Sequence, residues 1–114
     1  MNQEQMKKKL KLIKKVLMSG NGYIRLGSHT KERLFKRGYT KGDLVCGIMT
    51  GSITRVQTGF NHALGRTALT YTIEGQDRSH NPVVVILSEE GSHGFLIVTV
   101  MPPIDHSRFH DCIG

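Results

Sequence analysis

The sequence predicts an α+β fold, with N-terminal helices packed on one face of a twisted antiparallel sheet of four to five strands. Two patterns carry that expectation. Up to Gly51 the apolar residues recur at helical spacing, and beyond it they fall into short β-rich runs separated by turn residues. A third observation orders the sheet: the run Val83 to Leu87, VVVIL, is apolar on both faces and reads as a central strand.

Met6, Leu10, Ile13 and Leu17 follow i, i+4, i+7, i+11 and are joined by Val16, which predicts an amphipathic helix from about Gln3 to Met18 with lysines on its other faces. Ser19-Gly20-Asn21-Gly22 stops it. Tyr23 to Leu26 is a short strand. Gly27-Ser28 then offers a turn and an N-cap for a helix that Gly38 closes. Thr40 and Asp43 form the [ST]-x-x-[DE] box that opens a third helix, with Leu44, Val45, Ile48 and Met49 expected to face inward. Four strands follow at Ile53 to Gln57, Thr67 to Ile73, Val83 to Leu87 and Phe95 to Val100. The hairpin-length breaks EGQDRSHNP and SEEGSHG imply antiparallel neighbours. The order is α-β-α-α-β-β-β-β.

With 114 residues, 38% of them hydrophobic, the chain is expected to form one domain: a basic helix and turn (1–22), a helix-plus-sheet core (23–102) and an irregular tail (103–114). The net charge of +7 is unevenly placed. Residues 1–55 hold thirteen Lys and Arg against three Asp and Glu, a balance of +10, whereas residues 56–114 carry −3, so an anionic partner is expected to meet the first half. Cys46 and Cys112 do not form a disulfide framework and read as free thiols of a cytoplasmic protein. The N-terminal lysines interrupt any signal-peptide run, and no stretch approaches a membrane span.

The chemistry concentrates in HTKERLFKRG. On a helix, His29, Arg33 and Arg37 stack up one face with neighbouring Cβ atoms about 5–6 Å apart. Guanidinium forks match two phosphate oxygens and stay charged, while the imidazole titrates near neutrality. Such a face suits metal-independent RNA cleavage, which needs a base for the 2′-hydroxyl, an acid for the leaving 5′-oxygen and cations at the developing phosphorane. His29 fits base or acid, and His62 or His80 is the second proton-transfer candidate. Lys11, Lys14, Lys15, Lys36, Arg55 and Arg66 are the expected RNA contacts. The same His/Arg/Arg face serves equally to lock a helix to a sheet through carboxylates such as Glu32, Asp43 or Glu74.

The words SHTKERLFKRGYTKGDL, ALTYTIEG, PVVVIL and FLIVTVMPP resemble a small bacterial domain-of-unknown-function family grouped with barnase/RelE-like toxin ribonucleases. The likeness covers roughly Ile24 to Pro102 and is carried by His29, Arg33, Arg37, Gly38 and Thr99. It implies a toxin-type fold, an RNA substrate that is free or ribosome-bound, and a small acidic antitoxin partner. The chain departs from the pattern at Met101, where such domains often place an aromatic, and at Pro82, where they often place a histidine.

Other chemistries have little support. Asp105, His106, His110 and Cys112 lack the spacing of a metal site, and no metal or other cofactor is expected. Cys46 among Leu44, Val45, Ile48 and Met49 reads as core, and GSHGF and TGSIT lack the P-loop lysine. The expectation is a toxin-type RNA endonuclease. Its alternative is a non-catalytic nucleic-acid- or protein-binding module of the same fold.

Overall fold

Asn2 starts the first helix by exchange of hydrogen bonds: its side chain accepts from the Gln5 N–H at 2.8 Å, and Gln5 Oε1 accepts from the Asn2 N–H at 3.0 Å. Two of the donors that a helix start leaves unpaired are thereby satisfied. The computed structural model describes residues 1–61 and 64–103. Helix α1 (Gln3–Ser19) buries Leu10, Ile13 and Val16, so the basic helix is part of the core and not an appendage. It crosses the sheet, touching the strand after Gly51 through Met6 and Leu10 and approaching Ile24 through Leu17.

Strand β1 (Tyr23–Leu26) leads into α2 (Ser28–Lys36) and α3 (Lys41–Thr50), and then come β2 (Ser52–Asn61), β3 (Arg66–Gln76), β4 (Pro82–Gly91) and β5 (Gly94–Met101). Gly27, not Ser28, is the N-cap of α2, and no side chain caps it. Gly38 takes φ 78°, the left-handed backbone that lets the chain turn between the two helices. The Thr40–Asp43 box forms as expected, with the Asp43 N–H on Thr40 Oγ1 at 3.1 Å.

The sheet order is β1-β5-β4-β3-β2, which puts the VVVIL strand in the centre. The sheet is mixed and not wholly antiparallel, because β1 runs parallel to β5 with Leu26 opposite Ile97. Hairpin-length turns govern only β2 to β5. The first strand returns after two helices and three strands, a crossover long enough to bring it in parallel. All four C-terminal strands are longer than their apolar runs; in β4 the extension carries Glu89, which meets Lys9 of α1 on the helix side, and Glu90, which points to the other face.

The core lies between helices and sheet: Ile13, Ile48, Tyr71, Ile73, Val85, Leu87, Phe95 and Ile97 are almost wholly buried. Of the inward set expected on α3, Leu44 and Ile48 are buried, while Val45 is exposed and Gly47 is buried instead. The reason is close approach. A Cβ on Gly75 would overlap the Gly47 carbonyl, and Thr50 Oγ1 accepts the Gln76 N–H at 2.8 Å, fastening α3 to the end of β3.

Candidate nucleic-acid interface

At 100° per residue, Lys7, Lys8, Lys11, Lys14 and Lys15 occupy a sector of α1 about 120° wide, opposite the Leu10, Ile13 and Val16 stripe. Core burial therefore forces these lysines outward. Lys7, Lys8, Lys11 and Lys15 are exposed and Lys14 is half-buried, and none forms an ion pair with a described residue. Lys9 points elsewhere: its Nζ meets Glu89 Oε1 at 2.8 Å, and Glu89 Oε2 accepts from the Tyr71 hydroxyl.

Helix α2 lies along the β5 edge. Pairing of β5 with β1 stops at Ile97, and two carbonyls beyond that point are taken up by α2 side chains: Thr30 Oγ1 donates to Val98 O at 3.0 Å and Arg37 Nη1 to Val100 O at 2.7 Å. An otherwise bare edge is thus covered. Arg37 is the C-cap residue and serves the fold first. His29 and Arg33 are exposed on one flank of α2 without a hydrogen bond or ion pair to a described residue, and Lys31 and Phe35 project from the opposite flank.

The remaining expected site residues are dispersed. Lys36 meets Glu32 at 3.4 Å, one turn away on the same helix, and both are exposed. Arg55 and Arg66 pair with Thr72 and Asn61 on the sheet face turned away from the helices. Arg66 opens β3, and exposed His80 follows its end, in a turn that Asp77 holds by accepting from Ser79 and Asn81 N–H groups. Ten steps of strand, about 33 Å, separate the two ends of β3, so Arg66 and His80 do not share a site. His80 and Arg37 lie at the same end of the sheet, since Val84 pairs with Met101. His62 and the tail group Asp105, His106, His110 and Cys112 lie outside the described residues. Among the described residues no three His, Cys, Asp or Glu side chains form a metal-binding group, and no helix is long and apolar enough to cross a membrane.

One polar cluster escaped sequence reasoning. Glu90, with 1% of its side chain exposed, accepts from both arms of Arg25 at 2.7 Å, from the Tyr23 hydroxyl at 3.0 Å and from Asn61 Nδ2 at 3.2 Å. Asn61 also donates to Ser88 Oγ at 3.0 Å. The Arg25 guanidinium, helped by Asn61 and Tyr23 and opposed by burial, holds the Glu90 carboxyl below the usual carboxylate range. Every buried polar atom of a described side chain has a partner, so this cluster ties β1, β2 and β4 together and is not an open site. The signal was present in SEEG, where two adjacent acids inside a strand must point to opposite faces.

No protein-family model, curated protein or solved structure matches this chain. The fold and the charge layout therefore stand on their own: an α+β domain with one lysine-lined helix and a second, separate basic flank.

Proposed function

We propose that this domain binds RNA through the phosphate backbone, with the α1 lysine stripe as the principal contact. The observation that carries the reading is the opposition of Lys7, Lys8, Lys11 and Lys15 to the buried stripe of their own helix, free of carboxylate partners among the described residues. Five ammonium groups, Lys14 included, along about two and a half turns follow a flexible anion without selecting a base sequence, so binding is strongly salt-dependent and specificity low. The test is fluorescence anisotropy with a labelled single-stranded RNA. Replacing Lys7, Lys11 and Lys15 by Gln is expected to weaken binding at least tenfold, while replacing His29 and Arg33 by Ala changes it only a few-fold. Equal affinity of the lysine variant and the wild type refutes the assignment.

Exposed His29 and Arg33, one turn apart and without partners among the described residues, favour a second reading: RNA cleavage on the far flank of α2. There His29 takes the 2′-hydroxyl proton as that oxygen attacks phosphorus, Arg33 neutralises the phosphorane, and the 5′-oxygen leaves with a proton from a second acid. His80, at the same end of the sheet as Arg37, is the candidate among the described residues. Incubation with RNA in chelator distinguishes the readings: cyclic-phosphate ends that disappear in His29→Ala support cleavage, and intact RNA leaves binding alone.

A further inference from the structure

Between α2 and α3 lies a groove of about 700 Å³, floored by Leu26, Leu34 and Tyr39 and walled by Phe35. It continues into a second depression of about 370 Å³, with which it shares Leu26, Lys31 and Lys41 and which exposed Val45 lines beside buried Leu44. Phe35 is 83% exposed, although it stands on a helix whose neighbour Leu34 is buried. A large aromatic left in water beside an apolar trough marks a contact surface.

The rim identifies what fits. Lys31, Lys36 and Lys41 surround the trough against a single acid, Glu32, which Lys36 already engages. Lys31 and Lys41 have no acidic partner among the described residues. A second copy of this chain would bring the same lysines against these, since a two-fold contact places like beside like. We propose that the groove docks an acidic amphipathic helix from a partner protein, with its apolar side chains on Phe35, Leu34 and Leu26 and its carboxylates on Lys31 and Lys41. The surface is separate from the α1 lysine stripe, so the docking stands whether or not RNA binds there.

Three labelled peptides test it by anisotropy: one with Leu at i, i+3, i+4 and i+7 and Glu between, one with the Glu changed to Lys, and one with the Leu changed to Ser. The wild type is expected to bind only the first tightly. Phe35→Ser, whose side chain is exposed and whose loss leaves the melting temperature intact, is expected to weaken that peptide at least tenfold. Lys31→Glu with Lys41→Glu is expected to lose the Glu peptide and gain the Lys peptide. The proposal is overturned if Phe35→Ser binds as the wild type does, if the Ser peptide binds as well as the Leu peptide, or if the Lys7, Lys11 and Lys15 variant loses the Glu peptide. It is equally overturned if sedimentation velocity shows a wild-type dimer that Phe35→Ser abolishes, because the occupant is then a second copy.

Discussion

Glu90→Gln keeps the side-chain volume and removes the charge, and its new NH₂ must face one arm of the Arg25 fork in either orientation, beside the Tyr23 hydroxyl or the Asn61 donor. Two charge-assisted hydrogen bonds at 2.7 Å are lost or weakened, each worth roughly 1.5–3 kcal/mol. Arg25 is 44% exposed and regains water, which discounts the sum, so a net loss of about 2–4 kcal/mol remains. Against a domain stability of about 5–15 kcal/mol, urea denaturation at pH 7 resolves this easily. The pH dependence gives a second check. Because the folded carboxyl titrates below its unfolded value of about 4.3, its contribution is full above that pH and fades as the pH falls through the folded value. The gap between wild type and variant is therefore complete at pH 7 and narrows in acid. A variant within about 0.5 kcal/mol of wild type at pH 7, or a gap that stays constant into acid, refutes the reasoning.

Arg37→Ala strips the cover from Val100 O at the sheet edge, where water replaces the guanidinium. A loss of about 1 kcal/mol in thermal or chemical melts is expected, and RNA affinity should change no more than for one lost phosphate contact. Gly75→Ala forces a methyl into the Gly47 carbonyl and within 2.9 Å of Gly51 Cα, so α3 must lift from β3. Its cost, about 3 kcal/mol or more, appears as a large drop in melting temperature or as failure to fold. Gly38→Ala meets no neighbour and costs only its backbone strain, about 1 kcal/mol in the same melts.

The sequence revealed local features well and long-range ones poorly. Helix α1 and the Thr40–Asp43 box were legible because each is written within a few residues, in an apolar period or a cap and its partner. The central place of β4 was legible because Val83, Val84 and Val85 can be buried together only with cover on both faces. The parallel entry of β1 was not, since its partner residues stand about seventy positions away and no turn connects them. His29 and Arg33 stand one turn apart on α2, whereas Arg37 is its C-cap residue and reaches the sheet edge. Periodicity could not reveal that Arg37 would be drawn to Val100 O, because that depends on where β1 stops along β5. Nothing in the residue spacing of α2 marks Phe35, whose exposure is evident only beside the groove it lines.

The salt dependence of RNA binding tests the central claim most directly. For single strands, the logarithm of the affinity falls with the logarithm of salt concentration by about 0.7 for each phosphate neutralised. With Lys7, Lys11 and Lys15 replaced by Gln, the slope is predicted to flatten by about 2 relative to the wild type. An unchanged slope in that variant, with flattening instead in His29→Ala/Arg33→Ala, would contradict the account and move the phosphate to α2.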